Sequence, residues 1–70
     1  MVANDLITVD PEIQGGTPVF TGTRVPVKSL FDCLAKGRTL ECFLEQFPSV
    51  SREQASEILL RAGEEITAHL

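Results

Sequence analysis

The run from Gly15 to Val27, GGTPVFTGTRVPV, constrains this chain more than any other stretch. It contains Gly15, Gly16 and Gly22, three of the five glycines, together with Pro18 and Pro26, two of the four prolines. Glycine enters the positive-φ region without steric cost, and proline fixes φ near about −65°. Alternating with apolar residues, they dictate a backbone path. The run reads as a tight hairpin followed by entry into a helix, and it contains no catalytic pattern.

Seventy residues make one small domain with a thin core. Hydrophobic residues are 43% of the chain, with four Phe and no Trp or Tyr, which suffices for one modest core but not for a deep substrate cavity besides. A core of this size gains from a partner or from self-association. Cys33 and Cys42 are too few and too isolated for a disulfide framework, and read as small apolar residues. Asn4 and Asp5 interrupt any signal-peptide pattern, and no apolar run approaches the length of a membrane span. The expectation is a soluble, cytoplasmic protein that binds no membrane.

The net charge is −4, with a sequence pI of about 4.7. Its distribution is uneven. Residues 24–38 hold Arg24, Lys28, Lys36 and Arg38 against Asp32, whereas residues 1–23 hold three carboxylates and no cation. Residues 39–70 hold six Glu against Arg52 and Arg61. An acidic chain opposes unaided binding to a polyanion, because phosphate contacts supply most nucleic-acid affinity. It suits a basic protein partner.

Residues 1–26 read as short β strands and loop. Leu6–Val9 is a short β-branched strand stopped by Asp10-Pro11. Val19-Phe20 and Arg24-Val25 flank Thr21-Gly22-Thr23 as a hairpin, with Gly22 at positive φ. Strands so short need helices or another chain to pack on, and the expectation is a two-fold homodimer using these segments.

Residues 27–70 read as a three-helix unit. Pro26 suits the first turn of a helix whose apolar stripe is Val27, Leu30, Phe31 and Leu34, with Gly37 as its stop. Thr39 is the N-cap of a second helix carrying Leu40, Phe43, Leu44 and Phe47, which Pro48 ends. Ser51 and Gln54 form a capping box, and Val50 with Ala55 a hydrophobic staple. The third helix turns Ala55, Ile58, Leu59, Ala62 and Ile66 inward. The joint Pro48–Ser51 is compatible with a helix-turn-helix corner.

No catalytic set, metal-ligand spacing or cofactor motif emerges, so no catalytic residue, metal or cofactor is expected, and the protein is not expected to be an enzyme. The single His, His69, stands beside the C-terminus. Glu41 with Glu45 and Glu53 with Glu57 read as solvated helix faces rather than as converging metal ligands. A backbone phosphate nest at Thr21–Arg24 is the alternative to simple turn chemistry there. If the third helix entered a major groove, its leading residues Arg52 and Gln54 would be the base readers. Glu53 and Glu57 beside them would repel phosphate, and Lys36 and Arg38 would serve as backbone contacts. Arg24 and Lys28 are the candidate contacts to a protein partner.

The segments Asp10–Pro18 and Gly22–Val27, then Gly37, Phe43–Pro48 and the Ser51-capped helix, resemble the signature of a family of short bacterial and archaeal proteins, the domain of unknown function 433 (DUF433). The resemblance covers roughly residues 7–66. Gln14 and Thr17 depart from the commonest form, where a small residue or Cys and a Lys are frequent; both positions lie in a loop. The resemblance implies a mainly α, homeodomain-like trihelical bundle of helix-turn-helix type with a short N-terminal β extension. It also implies an antitoxin that neutralises a PIN-like ribonuclease toxin; the leading expectation for this chain adds binding of its own promoter DNA as the complex. The alternative is a DNA-binding regulator that acts alone.

Overall fold

The computed structural model describes residues 2–68; His69 lies outside them. The chain is mainly helical. A small antiparallel sheet, in the order β1 (Val2–Ala3), β2 (Ile7–Val9) and β3 (Val19–Phe20), precedes α1 (Val27–Ala35), α2 (Leu40–Gln46) and α3 (Arg52–Ala68). Val2 pairs with Val9, and Ile7 with Phe20.

The sheet differs from the sequence expectation in its pairing. β1 comes first, and Asn4 makes the turn that joins it to β2: its Oδ1 accepts from the amides of Leu6 and Ile7, each at 2.8 Å. β3 pairs with β2 rather than with residues 24–25. Arg24-Val25 is not a strand; it returns alongside β3 through a Phe20 N–H bond to the Val25 carbonyl (3.0 Å) and a Val19–Pro26 bridge. Gly22 does stand at φ 83°, as the turn requires. The loop before β3 contains a 3-10 turn at Gln14–Gly16, in which Gln14 adopts φ 52° ahead of Gly15 and Gly16.

Helix ends follow local chemistry. Pro26 is the N-cap of α1, one residue earlier than its expected place in the first turn. At the other end Gly37 takes φ 83°. The Arg38 amide bonds to the Cys33 carbonyl (3.2 Å) and the Gly37 amide to that of Leu34 (3.0 Å), the two bonds of a Schellman close. Thr39 caps α2 by accepting from the Cys42 amide at 3.1 Å, and α2 stops before Pro48. The Ser51–Gln54 box is reciprocal: Gln54 N–H donates to Ser51 Oγ and Ser51 N–H to Gln54 Oε1, both at 3.0 Å.

The core forms where β3 meets the helices. Val19, Phe20, Leu30, Phe43 and Ala55 have no exposed surface, and Leu6, Cys33, Val50 and Ile58 are nearly as buried. Phe43 holds the centre, with its ring centroid 6.0 Å from that of Phe20 and 5.0 Å from that of Phe47. Two expected core positions are displaced. In α1 the buried pair is Leu30 and Cys33, and Phe31 is partly exposed. In α3 Ile66 is exposed, because residues 63–68 extend past the core. Both cysteines are free. No helix among the described residues is long and apolar enough to cross a membrane.

Candidate functional site

The loop after β3 is tied to the start of α3, and this junction sets the direction of the third helix. Thr21 is the hub. Its amide bonds to the Leu6 carbonyl at 2.9 Å, and its hydroxyl donates to the Asn4 carbonyl at 2.8 Å. A hydroxyl has one proton to give, so in the 2.9 Å contact between Thr8 and Thr21 hydroxyls Thr8 is the donor. The Thr21 carbonyl accepts from Gln54 Nε2 at 2.8 Å, across 33 residues of sequence. Gln54 thus uses its oxygen for the helix cap and its nitrogen for the sheet.

The base-reader candidates therefore stand in different situations. Gln54 is half-buried with both ends of its amide engaged. Arg52, at the first position of α3, is exposed, and its Nη1 lies 2.8 Å from Glu41 Oε1 at the start of α2. That guanidinium, by its hydrogen bond foremost, lowers the Glu41 carboxyl below its ordinary pKa, with help from a backbone hydrogen bond. The pair staples the N-terminal ends of α2 and α3 on the surface.

Lys36 and Arg38 come together elsewhere, at the α1–α2 turn. They line an open depression of about 320 Å³ with Ser29, Asp32, Gln46 and Phe47. Lys28 is exposed on α1 and pairs with Asp32 at 3.0 Å, and Arg24 is exposed on the loop ahead of α1. The structure thus separates the six candidates into an α3 start, an α1–α2 turn and an α1 start. The carboxylates do not converge: among the described residues no group of three or more His, Cys, Asp or Glu is placed to hold a metal ion.

Sequence reading missed two features. The first is the second bond of Gln54, which no local pattern signals. The second is an apolar groove between the sheet and two helices, lined by Leu6, Ile7, Val27, Phe31, Ile58 and Ala62, with Asn4, Arg61 and Glu65 at its rim. The unexpected exposure of Phe31 is its outward sign.

A protein-family model described as "Protein of unknown function (DUF433)" matches residues 7–62. The uncharacterized protein y4eO of Sinorhizobium fredii (strain NBRC 101917 / NGR234) is 44% identical over 52 residues, which cover 74% of this chain and 24% of that protein. The chain spans about a quarter of the length of that relative. No solved structure matches the chain.

Proposed function

The chain belongs to the DUF433 family, and we propose that it is an antitoxin-type, protein-binding module that neutralises a PIN-like ribonuclease toxin. The observation that carries this reading is the fate of the charges. Three of the six cations, Lys28, Arg52 and Arg61, are spent on Asp32, Glu41 and Glu57. The surface left over is acidic, and it complements a basic protein better than a nucleic acid. Arg24 and Lys28 frame the start of α1 as contacts to carboxylates of that partner, Lys28 exchanging its exposed pairing with Asp32 for the new one.

We read α2 and α3, joined through residues 47–51, as a helix-turn-helix corner of homeodomain-like type. In that frame Arg52 leads the reading helix, and Lys36 and Arg38 hold DNA phosphates. Gln54, being engaged within the chain, leaves Arg52 as the base reader. The net charge makes the toxin complex, rather than the free protein, the promoter-binding species. A homodimer formed through the edge of the small sheet would double these cations and set their spacing.

The test is co-expression with the product of the adjacent reading frame. A PIN-like protein there should co-purify with this chain, and its RNA cleavage should fall in proportion to added antitoxin. A neighbour that neither co-purifies nor loses activity would overturn the reading. A mobility-shift titration of the promoter at fixed salt, with and without that neighbour, tests autoregulation. Tight binding by the free protein would favour a regulator that acts alone.

A further inference from the structure

Two of the three large apolar side chains that stand exposed among the described residues belong to α3: Leu60 at 62% and Ile66 at 65% exposure. At helical spacing they flank Gly63, with Thr67 one turn beyond; Leu60 and Gly63 lie on the side of the helix turned away from Ile58, and Ile66 joins them because the helix there has passed the end of the core. The fold gives no reason for a glycine at 63. Its φ is not in the left-handed region, and a Cβ built there meets nothing within 4 Å. Alanine would fit and would favour the helix. A glycine in such a place suits close approach of another backbone.

One edge of this face is acidic. Glu53, Glu57 and Glu64 follow one another at i, i+4 and i+11, which places them on one flank of the helix. Arg61 holds Glu57 at 3.1 Å, while Glu53 and Glu64 make no ion pair among the described residues. An apolar strip with a notch, bordered by carboxylates, calls for its complement.

We propose that the Leu60–Gly63–Ile66 face of α3 docks an amphipathic, lysine- or arginine-flanked helix of a partner protein. The proposal rests on the protein-binding reading above and names the surface and the partner's chemistry. Charge decides against a second copy as the occupant. Two α3 helices packed about a two-fold axis would bring the same acidic flank against itself, in a chain of net charge −4.

The probe is a synthetic amphipathic helix of Leu, Ala and Lys, followed by fluorescence anisotropy against a counterpart with every Lys replaced by Glu. The Lys peptide should bind about tenfold tighter or better, and added salt should narrow the difference. Leu60→Ser with Ile66→Ser should weaken binding about tenfold. Both side chains are exposed, so the fold should survive. Gly63→Ala should raise the thermal midpoint by about 5 °C and still weaken binding. Phe31→Ser, in the separate groove, should leave it unchanged. Equal binding of the two peptides, or binding indifferent to Leu60 and Ile66, would overturn the proposal. So would a sedimenting dimer that the Leu60/Ile66 variant dissolves, since the occupant would then be a second copy. If the peptide behaves as expected and the neighbouring gene product does not co-purify, the docking surface stands and the toxin reading falls.

Discussion

Gln54→Ala removes two side-chain hydrogen bonds at once, the cap to the Ser51 amide (3.0 Å) and the tie to the Thr21 carbonyl (2.8 Å). A neutral hydrogen bond contributes about 1 kcal/mol net, so the loss is about 2 kcal/mol. The helix preference of Ala over Gln returns a few tenths of a kcal/mol. For a chain of 70 residues, 1 kcal/mol displaces the thermal midpoint by roughly 6–7 °C. The expected fall is therefore about 10–12 °C, read by far-ultraviolet circular dichroism during heating. Gln54→Glu separates the two bonds. Its carboxylate still accepts from the Ser51 amide and favours the helix N-terminus, but it has no proton for Thr21. Its second oxygen faces the Thr21 carbonyl, acceptor against acceptor, so the variant should cost at least the ~1 kcal/mol of the lost tie. A Gln54→Ala midpoint within about 3 °C of the parent would refute the claim that this residue joins the sheet to α3. A Gln54→Glu midpoint equal to that of the parent would refute the tie to Thr21.

Gly22→Val should lower the midpoint by several degrees, since φ 83° is disfavoured for a β-branched residue even though the site has room for a Cβ. Lys28→Ala should move it little, because its partnership with Asp32 is exposed on both sides; equal midpoints for these two variants would refute the turn argument. Gln14→Gly should raise the midpoint by a few degrees by relieving φ 52°, and a lower midpoint would show that the Gln14 side chain repays its strain. Arg52→Ala should bring the Glu41 carboxyl back up toward its ordinary pKa in an NMR titration. The Glu41 pKa is lowered in the folded state, so its contribution to stability is present above the ordinary carboxylate pKa and fades as pH falls through the lowered one. An unmoved Glu41 titration in the variant would sink the ion pair as its cause.

What could be read from the sequence was what the chain decides locally. Thr39, Gly37 and the Ser51–Gln54 box act within four residues of themselves, and their geometry is as their spacing predicts. Strand pairing is a different matter. Val25 lies five residues from Phe20 and does return to it, but the strand partner of Phe20 is Ile7, thirteen residues earlier. Alternation in so short a segment cannot distinguish the two. The buried face of α1 departs from its apolar stripe for a similar reason. Phe31 is the larger apolar residue, yet the packing of α1 on β3 and α2 places the smaller Cys33 inside. Ile66 fits the inward stripe of α3 by period, but periodicity does not report where the core ends. The candidate contacts were legible as residue types only. That Lys36 and Arg38 share a depression, and that Arg52 meets Glu41, depends on how the helices cross.

The start of α3 shows why architecture and recognition compete in so small a chain. Arg52 and Gln54 are the residues that make this helix look like a reader of bases, and both are in use. The two uses differ in how readily they yield. Gln54 joins α3 to the sheet through a half-buried pair of bonds, and releasing it would undo the cap and the tie together. Arg52 holds Glu41 in an exposed pair, with side chains 55% and 62% accessible, and such pairs contribute no more than about 1 kcal/mol. A phosphate or a guanine edge can therefore take Arg52 from Glu41 at small cost. The exchange leaves the Glu41 carboxylate facing the same polyanion without the cation that paired it. A basic partner bound nearby supplies that cation. The proposed partner dependence of DNA binding thus rests on Glu41, and Glu41→Gln is the variant that isolates it: it should raise the promoter affinity of the free protein and lessen the gain on adding the partner. An unchanged free-protein affinity would show that Glu41 is not the obstacle.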